Sequence, residues 1–135
     1  MKLKRQIKTF SVIFALAFWV LATMPVFAGG QREMTKRVRF AKGRTSTIIK
    51  GAVVRGEVHN YILGAKEGQT MIVHITSREK NAVFTVYFSG KQEAVGDDAT
   101  ETTDWQGILP ADNNYVIEVG STRGNATYTL EVTIR

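Results

Sequence analysis

The chain has 135 residues, 18 Lys plus Arg against 12 Asp plus Glu, and no cysteine. Disulfides, thiolate metal sites and cysteine nucleophiles are thereby excluded. The formal net charge of +6 invites a nucleic-acid reading, but Lys2, Lys4, Arg5 and Lys8 precede a single apolar run, Phe10 to Met24, that holds no acid.

That opening has the parts of a secretory leader: a cationic start, an apolar core and small residues at a cleavage site. Val26 and Ala28 take the small-residue positions, Pro25 breaks the helix before them, and Gly29-Gly30 follows as a flexible entry. Cleavage is expected after Ala28, which makes 1–28 the leader and 29–135 one domain. An uncleaved anchor competes, because Phe10 to Ala28 is 19 residues and a bilayer span takes about 20. Pro25 and the terminal small residues argue against it. No Cys follows for lipid attachment, so the exported protein is expected in the periplasm or the medium. Removing 28 residues from 135 leaves 107, and removing four basic residues from 18 leaves 14 against 12 acids, a net +2. Neither nucleic acid nor, after cleavage, a membrane is then expected as a partner.

In chain order the mature sequence reads as short strands, because apolar residues recur with period two and no i, i+3, i+4 stripe is sustained. Weak strands are expected near Met34 to Phe40, Thr45 to Val53 and Val58 to Ala65. A clearer one follows, with Met71, Val73 and Ile75 alternating with Ile72, His74 and Thr76. Ala82, Phe84, Val86 and Phe88 alternate likewise with Val83, Thr85 and Tyr87. Gly90 to Thr103 is acidic and reads as a loop with at most one short edge strand, Gln92 to Val95. A weak strand is expected over Thr103 to Leu109, then Tyr115, Ile117 and Val119 alternate with Val116, Glu118 and Gly120. The last strand is the plainest: Tyr128, Leu130, Val132 and Ile134 on one face, Thr127, Thr129, Glu131 and Thr133 on the other. Turn signals such as Arg55-Gly56, Arg78 to Asn81, Pro110 to Asn114 and Arg123-Gly124-Asn125 separate these runs. About eight strands in 107 residues imply an all-β, two-sheet antiparallel sandwich, favoured over a ligand-holding barrel.

The run Phe40, Gly43, Ser46, Gly51, then Tyr61-x3-Ala65-x2-Gly68-Gln69-x3-Val73, then Trp105-x-Gly107-x-Leu109-Pro110 and Tyr115-x-Ile117-x-Val119-x3-Arg123-Gly124-x-Ala126-x-Tyr128-x-Leu130-x-Val132-x-Ile134 resembles the periplasmic inhibitors of g-type lysozyme. It covers nearly the whole mature chain. The stretch from Tyr61 to Val73 also looks like the wider group of pre-peptidase C-terminal β-sandwich modules. Similarity to the inhibitors implies a two-sheet β-sandwich that plugs a muramidase cleft, with g-type lysozyme as protein partner; no cofactor is expected, and the protein is expected as a monomer or homodimer. The pre-peptidase likeness implies the alternative, a structural or carbohydrate-associating module.

A lysozyme cleft cuts a polysaccharide with carboxyl groups, so a protein plug should offer protruding arginines. The planar guanidinium fork matches a carboxylate with two hydrogen bonds and is less costly to bury than an ammonium. Arg55 beside Gly56 and Arg123 beside Gly124 fit best, each next to a glycine that permits a tight turn. If Gln92 to Val95 is a strand, an up-and-down order puts the turns at 55 to 57, 78 to 81, 96 to 102 and 121 to 124 at one end. That adds Arg78, with Asp97, Asp98 and Glu101 as internal partners. If it is not a strand, Arg123 falls at the opposite end. The resemblance implies a tyrosine in the turn at 55–57, where this chain has Gly56, and it carries over Arg123. Arg55 and His59 are local substitutes inferred from position. The expected contact set is therefore Arg55, Gly56, His59, Arg78, Arg123 and Gly124.

Each of these residues has an ordinary reading as well, since an Arg-Gly turn is usually only a solvated turn. Trp105 reads as core. His59 and His74 both read as outward-facing and too separated for a metal site. The acidic run Asp97-Asp98-x2-Glu101-x2-Asp104 lacks the spacing of a calcium loop and reads as solvated. Asn125-Ala126-Thr127 fits a glycosylation sequon that a bacterial-style leader makes incidental. No serine sits in a nucleophile elbow and no histidine has a base-and-orienter setting, so the protein is not expected to be an enzyme.

Overall fold

The computed structural model describes residues 32–135, so the expected leader and cleavage site lie outside the described residues. Eight strands appear in chain order: β1 (Arg32–Arg37), β2 (Ser46–Val53), β3 (Glu57–Ala65), β4 (Thr70–Ser77), β5 (Ala82–Phe88), β6 (Asp104–Ile108), β7 (Asn113–Ser121) and β8 (Ala126–Ile134). One sheet has the order β1-β3-β7-β5 and the other β2-β8-β4-β6. All pairings are antiparallel except β1 with β3, which run parallel. The protein is thus the two-sheet β-sandwich expected from its alternation.

Every strand is followed by one in the opposite sheet. The tight turns, expected in an up-and-down order, are therefore arches that cross from one sheet to the other, and each lies on one of the two rims of the sandwich. The inner faces form one core in which Tyr115, Phe84, Leu63, Met71 and Leu130 are fully buried. Period-two alternation is what makes this work. On β8 the buried positions are Ala126, Tyr128, Leu130, Val132 and Ile134, and the residues between them face outward.

Gln92 to Val95 is not a strand. Ala94 makes only an isolated bridge to Tyr87, and Thr102 another to Phe84. Residues 89–103 instead run back along the free edge of β5, where the Val95 amide donates to the Val86 carbonyl at 2.9 Å and Phe84 and Thr102 exchange two bonds of 2.9 Å. Ala99 is fully buried beneath this path, which also carries one 3-10 turn, Asp97–Ala99. The excursion has two consequences. It covers a sheet edge that would otherwise offer unpaired backbone groups, and it returns the chain from one rim to the other, so β5 and β6 run in the same direction.

Candidate functional site

Because 89–103 traverses the length of the sandwich, the turns at 54–56, 78–81 and 122–125 all lie on one rim. The strand ends beside them are paired, with Val53 opposite Ala126, Ser77 opposite Tyr128 and Ala82 opposite Ser121. Arg55, Arg78 and Arg123 are brought to the same end, though by a route different from the extra strand expected at 92–95. All three are exposed, and among the described residues none forms an ion pair. Asp97, Asp98 and Glu101, expected as their internal partners, do not pair with them.

The arch at 54–57 closes with the Glu57 amide donating to the Val54 carbonyl at 3.0 Å. Gly56 has φ of 80° while Arg55 stays at negative φ, a type II turn whose third position favours glycine. Two asparagines then lock this arch to the other two. The Arg55 amide donates to Asn125 Oδ1 at 3.0 Å. Asn81, 4% exposed, donates through Nδ2 to the carbonyls of Arg123 and Asn125 at 2.6 and 2.9 Å. Its own carbonyl accepts from the Thr122 amide at 2.9 Å, and its amide is held by Ser77 Oγ at 2.9 Å. Ser121 Oγ adds a bond of 2.7 Å to the Arg123 carbonyl.

All of these contacts use backbone atoms of the arginine turns. They fix where each turn sits and leave the guanidinium groups free. Glu79 ties the 78–81 turn to β8 by accepting from the Thr127 amide and hydroxyl at 3.0 and 3.1 Å. Its carboxyl is held below the ordinary glutamate range, first by its own backbone amide and that of Thr127, then by the Thr127 hydroxyl and the nearby Arg78 charge.

His59 does not belong to this surface. It is 8% exposed, with Nδ1 2.7 Å from the Tyr128 hydroxyl, which in turn bonds the Tyr61 hydroxyl. Nε2 lies 3.7 Å from the Glu57 carboxylate. The reason is parity: His59 shares the inner face of β3 with Tyr61 and Leu63, so the alternation that buries them buries it. Burial and the Tyr61 bond push the Tyr128 hydroxyl well above the usual tyrosine range, so it stays a neutral donor. Gly51 makes room for that ring, since a Cβ there would overlap the Tyr128 hydroxyl.

Trp105 is 9% exposed and belongs to the core. It points inward from β6, and its indole lies over Gly107, where a Cβ would collide with the ring. His74 is half-buried and bonded to Asp104, an acid partner that its separation in sequence had hidden. Among the described residues no three His, Asp or Glu side chains are grouped to hold a metal.

The three arches thus carry Arg55, Arg78, Lys80 and Arg123 against Glu57 and Glu79. They have no nucleophile with a base, and what they can offer a partner is up to three bidentate guanidinium forks on a pinned backbone. Asn81 and Asn125 are the residues that sequence reasoning missed. Both counted only as turn signals, Asn125 also as part of a sequon, and nothing local distinguishes an asparagine that ties distant arches together.

No protein-family model matches the chain, and no curated protein matches it. Solved structures do. PliG of Aeromonas hydrophila, a periplasmic lysozyme inhibitor of g-type lysozyme, superposes with a TM-score of 0.69 at 36% identity, covering 77% of this chain and 98% of that one. PliG of Salmonella Typhimurium, with the same description, gives 0.61 at 20% identity over 76% of this chain and 98% of its own. The pre-peptidase C-terminal domain of a Bacillus anthracis collagenase gives 0.51 at 11% identity over 78% and 96%, a likeness of fold alone.

Proposed function

The chain belongs to the family of periplasmic inhibitors of g-type lysozyme, and from that premise we propose that it inhibits such an enzyme by docking its arginine rim into the muramidase cleft. It belongs with inhibitor proteins rather than with enzymes, as its lack of a catalytic constellation led one to expect. Periplasmic relatives agree with the export read from its leader.

One observation supports the docking reading above others: Arg55, Arg78 and Arg123 are exposed and unpaired among the described residues at one rim, on turns pinned by Asn81 and Asn125. Binding is strengthened when side chains need not be ordered from scratch, and a locked backbone beneath free guanidinium groups meets that condition. A carboxylate-bearing cleft supplies the complement. An inhibitor interface of standard size removes roughly 1,200–2,000 Å² from water in total, more than one turn can cover, so three adjacent arches suit it better than any one.

Gly56 sits where the resemblance implies a tyrosine, so in this chain the arginines carry the contact. Arg123→Ala is expected to weaken inhibition of a g-type lysozyme at least several-fold. Its melting temperature should not change, because an exposed turn side chain contributes little to folding. An inhibition constant equal to that of the wild type would exclude the docking reading.

A further inference from the structure

The near-neutral net charge of the mature chain hides a strong segregation. Residues 32–50 carry seven basic residues against Glu33 alone, a net +6, whereas residues 51–135 carry seven basic residues against eleven acids, a net −4. All seven of the first group are exposed, and among the described residues none forms an ion pair.

The fold gathers this segment on one flank. β1 and β2 are edge strands of opposite sheets, and the 38–45 connection joins them around the rim away from the arginine turns, where the Ile134 amide donates to the Thr45 carbonyl at 2.8 Å. Between the two edges lies a groove of about 460 Å³, lined by Lys36, Arg37, Arg39 and Lys50 with Ile48 among them. Ile48 is 62% exposed, less than Ile108 but more than the other large apolar residues described.

Protection of a sheet edge accounts for one or two charges and not for this density. The edge strand β6 has none: Asp104–Ile108 contains no Lys or Arg and relies on its short length. Attraction to a polyanion accounts for the whole segment. An exposed isoleucine that shares its groove with four cations and stands opposite Glu131 of β8 would gain nothing from a soluble polyanion, but it gains from an interface with an apolar layer under its phosphates.

We propose that this flank binds an anionic phospholipid surface, with its cations on the headgroup phosphates and Ile48 at the boundary beneath them. The arginine rim lies at the other end from the 38–45 connection, so it stays free while the flank is engaged. The proposal rests on charge placement and not on the inhibitor reading.

The test is co-sedimentation of the protein, purified after export, with vesicles of phosphatidylcholine alone or mixed with phosphatidylglycerol, over a range of salt. Binding should require phosphatidylglycerol and fade as salt rises. Each basic residue near an anionic surface is worth about fivefold in partitioning, so Lys36→Gln/Arg39→Gln/Lys50→Gln should bind on the order of a hundredfold more weakly. Lys66→Gln/Lys91→Gln/Arg135→Gln, with the same change in net charge, should keep most of the binding, and Ile48→Ser should lose some of it at every salt concentration.

Wild-type protein that ignores phosphatidylglycerol would overturn the proposal, as would equal losses in the two triple variants. Full vesicle binding by Ile48→Ser, with tighter binding to soluble heparin than to vesicles, would overturn the choice of a lipid surface. Lysozyme inhibition measured in free solution on the same proteins separates this proposal from the inhibitor reading, because the flank variants should inhibit as the wild type does.

Discussion

Asn81→Ala removes the side chain that joins two of the three arginine arches while leaving every arginine in place. Its Nδ2 makes two neutral hydrogen bonds, to the carbonyls of Arg123 and Asn125. Both bonds are part-buried and both acceptor residues are exposed, and the Arg123 carbonyl keeps its bond from Ser121 Oγ. The loss is then two bonds at roughly 0.5–1.5 kcal/mol each, about 2 kcal/mol in all. For a domain near 100 residues this lowers the melting temperature by roughly 8–16 °C. The backbone bonds from Thr122 to the Asn81 carbonyl and from Asn81 to Ser77 survive the substitution, so the turns loosen without the sandwich opening. Inhibition of g-type lysozyme, titrated well below the melting range, should weaken together with stability, whereas Arg123→Ala weakens inhibition alone. A variant that melts within about 2 °C of the wild type would refute the latch. One that melts early but inhibits fully would refute its role in shaping the contact surface.

Trp105→Ala should cost about 3–5 kcal/mol, read by denaturant unfolding, because the indole fills the core beside the glycine that accommodates it; a small loss would show that the ring is dispensable to packing. Gly51→Val should destabilise by about 1–3 kcal/mol through collision with Tyr128, and a double variant with Tyr128→Phe should recover part of that loss if the hydroxyl is the clashing atom. Glu79 has its folded carboxyl pulled below the ordinary range, so its contribution is present above the unfolded value and is lost as pH falls through the folded one. Melting curves of Glu79→Gln should therefore run below the wild type at neutral pH and converge with it below about pH 4; parallel curves across that range would remove Glu79 as the cause.

Strand faces were legible because an exported chain of this size must bury alternate side chains, and the runs ending in Ile134, Phe88 and Val119 repeat that pattern without interruption. His59 was misread as outward-facing: it stands two residues before Tyr61 and four before Leu63, and the same parity places it inside. Sheet membership was not legible. A turn of three or four residues joins neighbours within a sheet or arches between sheets, and Arg55-Gly56 reads alike in both. The path of 89–103 was hidden for a related reason: its bonds to β5 come from residues as far apart as Glu93 and Thr102, with an irregular turn between them. Asn81 depends on carbonyls more than forty residues away in the chain, so no local signal marks it. Charge segregation stood in the sequence all along, but a single net value averages it away.

Arches that alternate between sheets bear on function as well as topology. In a hairpin-built sheet a turn and its strands form one local unit whose tip can move alone. Here the three arches of the arginine rim join β2, β4 and β8 of one sheet to β3, β5 and β7 of the other, and each arch is anchored at both ends in separate hydrogen-bonded ladders. A movement of one arginine tip would have to shear the core between the layers, where Phe84, Val119 and Leu130 are fully buried, or break the bonds to Asn81 and Asn125. Interiors packed to that density deform little. The rim is therefore a composite surface drawn from three distant segments but held as one body, with the arginine side chains free to turn above a pinned backbone.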